Sequence, residues 1–345
     1  MNQAPTLLQQ TRRLVDQAHQ VYGGSPHDAV VDRLALRLDE PLRVAIAGKV
    51  KAGKSTLLNA LVGESLAPTD AGECTRIVTW YRNGVTYRAT IERRDGSTVP
   101  ARFTRDSGAL EVHLDGIPAD DVASLGVEWP SSVLTAMTLI DTPGIGSLTA
   151  DAEARTRSVL GDDELHSHAD AVIYLMRHLH GSDARFLEAF HDDRANATPV
   201  NAIGILSRAD EVGGGRGDSL RAAARIAERY WADDAVRRLC QTVVPIAGLL
   251  AQLGGTLTET EYRAVSRLAG LADDDCEALL LSADRFLGQP SQLGLGPDER
   301  RHLIDRFGLF GLRLANALVR AGKAPSSRHL ADELRTRSGL EDLRR

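Results

Sequence analysis

The sequence predicts an α/β fold: a phosphate-loop domain on a doubly wound, mostly parallel sheet, with an inserted antiparallel hairpin and flanking helical elements. Three observations carry this. Five short apolar runs, Leu42–Ala47, Leu134–Ile140, Ala171–Met176, Val200–Leu206 and Thr242–Ile246, have the length and continuity of strands buried on both faces. Polar helical stretches, such as Asp183–Asp193 and Ser219–Arg238, separate several of them, which is the alternation of a parallel sheet. The first run leads directly into Gly48-Lys49-Val50-Lys51-Ala52-Gly53-Lys54-Ser55, the GxxxxGK[ST] phosphate-binding pattern.

In chain order, Leu7, Leu14, Ala18 and Val21 recur at helical spacing, and Val30, Val31, Leu34 and Leu38 make a second stripe. Gly23-Gly24-Ser25-Pro26 separates the two helices and Pro41 closes the second. Thr56–Val62 is the helix after the phosphate loop. Ile77–Arg82 and Val85–Arg93 alternate around Asn83-Gly84, which predicts the hairpin at that turn. After Gly248 the pattern returns to helix at Tyr262–Leu271, Cys276–Phe286, Arg300–Leu318 and His329–Thr336. Ser338-Gly339-Leu340-Glu341 reads as a capping box opening a further helix. The division expected is 1–40 as N-terminal helices, 41–250 as the nucleotide-binding core and 251–345 as helices that complete the head and begin a stalk.

The 345 residues suffice for one large domain with attachments or for two domains. With 41 basic against 47 acidic residues the net charge is −6, which lacks the basic surface of a general nucleic-acid binder. Cys74, Cys240 and Cys276 are too few and too scattered for a disulfide framework or a zinc pattern, as expected of a reducing compartment. Leu239–Thr258 carries no charge, but Pro245 and its glycines make it a buried strand plus loop rather than a membrane span. Met1–Pro5 lacks the features of a signal peptide.

The phosphate loop needs glycines so that backbone N–H groups turn inward around phosphate oxygens at a positive helix end. Val50, Lys51, Ala52, Gly53, Lys54, Ser55 and Thr56 are therefore the expected phosphate cradle, with Lys54 on the β- and γ-phosphates and the Ser55 hydroxyl on Mg²⁺. Asp141-Thr142-Pro143-Gly144 follows a strand, where Asp141 holds Mg²⁺ through water and the Gly144 N–H meets the γ-phosphate. Ser207-Arg208-Ala209-Asp210 ends the next-to-last strand. The Asp210 carboxylate accepts from guanine N1–H and the 2-amino group, a donor pair that adenine lacks. Ser207 and Arg208 depart from the usual Asn/Thr and Lys, keeping a hydroxyl and a flat cationic stem able to stack on the base. Ala247 and Gly248, after the last strand, are placed to offer backbone N–H to guanine O6.

Together with Glu128-Trp129-Pro130-Ser131, Ala67-Pro68-Thr69-Asp70 and Thr75–Trp80, these motifs resemble the bacterial dynamin-like GTPases, and among them the isoniazid-inducible mycobacterial group. The resemblance implies a P-loop GTPase domain with helical neck elements, Mg²⁺ as cofactor, and GTP and GDP as substrate and product. It implies a cytoplasmic protein whose GTPase heads pair, with room for a second dynamin-like protein as a partner, and peripheral lipid contact at the inner face of the cell membrane through parts outside this chain. No nucleic acid is implied. It makes Thr75 the switch threonine that closes on Mg²⁺ and the attacking water, with Thr69 and Thr79 as fallbacks. Lys51 occupies the position where related large GTPases place a catalytic cation, so Lys51, Thr75 and Gly144 form the expected catalytic set. Two departures keep an alternative open, a GTP-binding regulatory module with negligible hydrolysis: Ile145 follows the Asp-Thr-Pro-Gly run, and Val50 stands where the family carries a polar water-positioning glutamine.

His166, His168, His178 and His180 form two His-x-His pairs that lack the further ligands of a metal site. Gly213–Gly217 is expected as a flexible loop, Lys49 has no evident role, and the Leu7–Val21 stripe suits helix packing better than a lipid surface.

Overall fold

A computed structural model describes residues 5–67, 77–106, 109–143, 169–178, 183–184, 187–188, 201–288 and 293–345. The chain forms two compact units, Met1–Leu42 and Arg43–Arg345.

The first unit holds helices α1 (Leu7–Tyr22) and α2 (Asp28–Asp39). Thr6 and Gln9 form a reciprocal capping box at the start of α1. The predicted stripes exist, but Leu7, Leu14 and Val21 are exposed and α1 buries no residue, because one helical hairpin cannot cover two apolar faces. His19 Nε2 meets Asp32 Oδ1 at 2.7 Å, linking the helices, and this carboxylate raises the imidazole pKa.

The second unit is built on one ten-stranded sheet: β1 (Leu42–Gly48), β2 (Thr79–Asn83), β3 (Arg88–Arg93), β4 (Thr98–Asp106), β5 (Ala109–His113), β6 (Val122–Trp129), β7 (Met137–Asp141), β8 (Ala171–Met176), β9 (Ala202–Ser207) and β10 (Val243–Ile246). The order is β10-β9-β8-β1-β7-β2-β6-β3-β4-β5. β1, β8, β9 and β10 pair in parallel, and β3, β4 and β5 extend the far side as antiparallel strands. Alternate residues of β1 enter different cores. Val44 and Ile46 pack with the helix after the phosphate loop, while Ala45 and Ala47 pack with the C-terminal helices. That two-sided burial is why the parallel strands read as unbroken apolar runs.

Four expectations change. The strands flanking Asn83-Gly84 do not pair: β2 lies parallel to β6, and β6 separates it from β3. Gly84 instead lets the chain pass beside β6, since a Cβ there would sit 2.7 Å from the Glu128 Cβ. The inserted hairpin is β3–β4, turning at Asp95-Gly96 with the Ser97 N–H and hydroxyl donating to Asp95 Oδ1. Leu134–Ile140 divides into a helical turn, Ser132–Ala136, and β7, with Leu134 buried beneath the turn. Cys276–Phe286 is two helices, Asp273–Leu279 and Ala283–Gly288, and the exposed Leu281 lies between them. The uncharged stretch after β10 is not loop but helix Gly248–Thr256, whose Leu250–Gly254 are buried. No helix among the described residues is long and apolar enough to cross a membrane. Most of Asp183–Asp193, Cys74, and His166, His168 and His180 lie outside the described residues.

The capping box is also absent. Helix Leu340–Arg344 starts from Gly339 in a left-handed conformation, and Glu341 pairs with Arg344 instead of reaching back. Leu340 is buried in the sheet core, so this helix lies against the nucleotide-binding unit.

Candidate nucleotide site

At the carboxyl end of β1 the chain turns through Lys49–Gly53 and enters helix α3 (Lys54–Val62). The turn carries Lys51 at φ 62°, a left-handed conformation that costs a non-glycine residue roughly 1 kcal/mol. The Arg208 guanidinium donates to the Lys51 carbonyl at 3.1 Å and so holds this strained peptide. Val50 and the Lys51 side chain are exposed on the loop. Lys54 Nζ donates to the carbonyls of Gly48 at 3.2 Å and Lys49 at 3.3 Å. Burial lowers the Lys54 pKa, and the nearby Asp141 charge opposes that shift.

Asp141 ends β7, and its Oδ2 accepts from the Ser55 hydroxyl at 3.4 Å. Burial pushes its pKa up to about 6, against the pull of Lys54 and the Ser55 hydrogen bond. Its Oδ1 is buried with no hydrogen-bond partner among the described residues. A part-buried carboxylate with one buried, unsatisfied oxygen beside a hydroxyl is a donor set short of a cation, so Ser55 and Asp141 fit Mg²⁺. Thr142 donates its hydroxyl to the Ile46 carbonyl at 2.9 Å, tying the start of this loop to β1. Of the switch candidates, Thr79 sits in β2 opposite Asp141, buried, with its hydroxyl on the Ile77 carbonyl at 3.4 Å. Thr75, Thr69, Gly144 and Ile145 lie outside the described residues.

The base end is formed by the loops after β9 and β10. Ser207 donates its hydroxyl to the Met176 carbonyl at 3.2 Å, so it braces β9 against β8. Arg208, at φ 54°, ion-pairs with Glu211, which Arg177 also holds at 2.6 Å, and its guanidinium also reaches the phosphate loop. Asp210 is 6% exposed and its pKa is raised, chiefly by burial. It lines a cleft with Ala52, Gly53, Thr56, Ser207 and Gly248, so the base motif and phosphate loop share one cavity. Ala247 differs from expectation, because its N–H donates to the Ser338 carbonyl at 2.9 Å. Gly248, the other residue expected there, does line the cleft together with Leu249, in the first turn of helix Gly248–Thr256, whose leading N–H groups have no partner within the helix. The Gly213–Gly217 loop is pinned: Ser219 donates its hydroxyl to the Val212 carbonyl at 2.6 Å and Arg313 donates to the Gly215 carbonyl at 2.8 Å.

Sequence reasoning missed the buried Asp183, which takes Lys49 Nζ at 3.2 Å and the Tyr174 hydroxyl at 2.6 Å. It also missed the roles of Arg177, Arg313 and Ser338, since nothing local marks a residue that acts across more than thirty positions of chain.

Residues 44–207 match the family model described as "Dynamin family". The chain is 42% identical over 298 residues to the isoniazid-induced protein IniC of Mycobacterium tuberculosis, covering 86% of this chain and 60% of that protein. It is 31% identical over 147 residues to the bacterial dynamin-like protein of Nostoc punctiforme, covering 39% of this chain and 20% of that one. Among solved structures, an oligomerised bacterial dynamin pair described in terms of long-range sensing and tethering of membranes aligns over 80% of this chain and 46% of its own, with TM-score 0.46 and 15% identity. This chain thus spans about 60% of the length of IniC.

Proposed function

We propose, from the premise that this chain belongs to the bacterial dynamin-like proteins, whose family members are GTPases, that it binds GTP with Mg²⁺ and hydrolyses it. The observation that carries this reading is Asp210. A buried carboxylate lines the same cavity as Gly53 and Thr56 of the phosphate loop, which supports a ligand with a base at one end and phosphates at the other.

The roles we assign run from the phosphates to the base. First-turn N–H groups of α3 and the Lys54 ammonium receive the phosphates; Lys54 exchanges its two loop carbonyls for phosphate oxygens. Ser55 and Asp141 hold Mg²⁺, with Thr75 as the further ligand that the family resemblance supplies. When bound, Mg²⁺ neutralises charge on the transferring phosphoryl group. Asp210 reads guanine N1–H and the 2-amino group, and the loop after β10 meets O6. Arg208 joins base recognition to the phosphate loop through the Lys51 carbonyl. Lys51, exposed on the strained turn, supplies the transition-state cation when two heads pair across their nucleotides, and the Gly144 N–H contacts the γ-phosphate.

Head pairing, coupling to a second dynamin-like protein, and peripheral work on lipid at the inner membrane face complete the proposal. The second reading, GTP binding without appreciable turnover, is favoured by one observation: Val50, half-exposed on the loop, has no polar group to orient water. Phosphate release with GTP, ATP and no nucleotide, across protein concentration, separates the two. Release with GTP that rises per head with concentration supports hydrolysis. Tight GTP binding without release supports the binding module, and equal use of ATP overturns the guanine assignment.

A further inference from the structure

The loop after β10 is shaped from outside the nucleotide-binding motifs. The Ser338 carbonyl accepts the Ala247 N–H at 2.9 Å. Gly339, at φ 83°, packs so closely under β10 that a Cβ there would lie 2.2 Å from the Pro245 carbonyl oxygen. Leu340, 1% exposed, is buried in one cluster with Val244 and Ile246. Arg344 then donates to the Leu61 carbonyl at 3.1 Å, at the far end of the helix that begins in the phosphate loop. One short turn therefore grips the peptides immediately before Gly248 and Leu249, which open the next helix and line the cleft.

We infer that the Ser338–Leu340 turn is a positioning element for recognition of guanine O6. By engaging the Ala247 N–H and backing Pro245, it sets the entry angle of helix Gly248–Thr256. Its first-turn N–H groups, unpaired within the helix, then face the carbonyl edge of the base. Asp210 reads the opposite donor edge from another loop, pinned by Arg313 and not by this turn. Discrimination at O6 and at the 2-amino group thus depends on different parts of the fold. This inference rests on the guanine-nucleotide reading of the cleft.

The test uses Gly339→Ala and Leu340→Ala in the full chain, with affinities for GTP, 6-thioguanosine triphosphate and inosine triphosphate. The first analogue keeps the 2-amino group and weakens the acceptor at position 6; the second keeps O6 and removes the 2-amino donor. Loss of one aligned hydrogen bond corresponds to a change of about five- to tenfold. The expected result is a fall of that size in the preference for GTP over the thio analogue, with the preference over inosine triphosphate unchanged. The Ala247 amide should also exchange faster with solvent. Two unchanged preferences in a folded variant overturn the inference. Equal weakening of all three nucleotides also overturns it, since that marks a merely structural turn. If Gly339→Ala does not fold, Leu340→Ala, which keeps the glycine, carries the test. Wild-type protein that binds none of the three refutes the guanine reading itself, a result distinct from the others.

Discussion

Lys49 Nζ lies 3.2 Å from Asp183 Oδ2, joining the phosphate loop to a carboxylate that is 1% exposed and that also accepts from the Tyr174 hydroxyl. The hydroxyl and the carboxylate enclose one another, and burial with the Asp183 hydrogen bond raises the Tyr174 pKa. A second lysine in the phosphate loop thus has a structural task, holding the loop's first turn to the segment beyond β8. Asp183→Ala strips both donors of their acceptor and should cost about 2 kcal/mol in urea unfolding. Lys49→Met should cost less, since its side chain is 41% exposed and the pair is screened. A double-mutant cycle of Lys49→Met with Asp183→Asn should show coupling; additive losses would dissolve the pair as an energetic unit.

Asp210→Asn should lose GTP and gain xanthosine triphosphate, because the amide reverses one donor and acceptor. Replacing a charge-assisted pair should weaken GTP by about 2–4 kcal/mol. Unchanged GTP affinity by titration calorimetry would remove Asp210 from the base site.

The raised pKa of Asp210 has two signed consequences. Guanine binding needs the ionised form, so GTP affinity should begin to fall at a pH above the ordinary carboxylate value of 3.8 as the solution is acidified. Folding favours the protonated form, so this side chain's stabilising contribution is present below the unfolded pKa and lost as pH rises through the folded one. At neutral pH the buried charge therefore destabilises the nucleotide-free fold, and Asp210→Asn should raise its melting temperature while abolishing GTP-induced stabilisation. A lowered melting temperature would contradict that account.

Asp141→Asn should leave metal-free nucleotide binding nearly intact and remove most of the tightening produced by added Mg²⁺, because the variant keeps the shape of the site without its charge. Fluorescent-nucleotide titrations with and without Mg²⁺ give both numbers. Full retention of the Mg²⁺ effect would mean that Asp141 does not hold the ion.

Lys51→Ala should lower single-turnover hydrolysis by roughly 10- to 1000-fold at high protein concentration and leave GTP affinity almost unchanged, as expected of a contact made in the transition state. At low concentration, where heads are separate, wild type and variant should converge. Equal rates at both concentrations would return Lys51 to a solvated surface role.

Several features of this protein were legible in the chain because their physics is local. A phosphate loop needs glycines beside a lysine and a hydroxyl, so Gly48–Ser55 could be read with no knowledge of what surrounds it. Buried parallel strands must be apolar on both faces, so β1, β8, β9 and β10 were visible as short runs, and Asp141 and Asp210 as carboxylates at strand ends. What only the tertiary structure decided depends on distant pairing. The alternation around Asn83-Gly84 correctly marked two strands, but partner choice belonged to β6, about forty residues on. The pairing of Lys49 with Asp183, of Arg208 with the Lys51 carbonyl, and of the Ala247 N–H with Ser338 joins residues 134, 157 and 91 positions apart. Periodicity and turn chemistry register neighbours a few residues apart. Contacts at those separations exist only once the sheet has set its strand order and the C-terminal helices have closed over it.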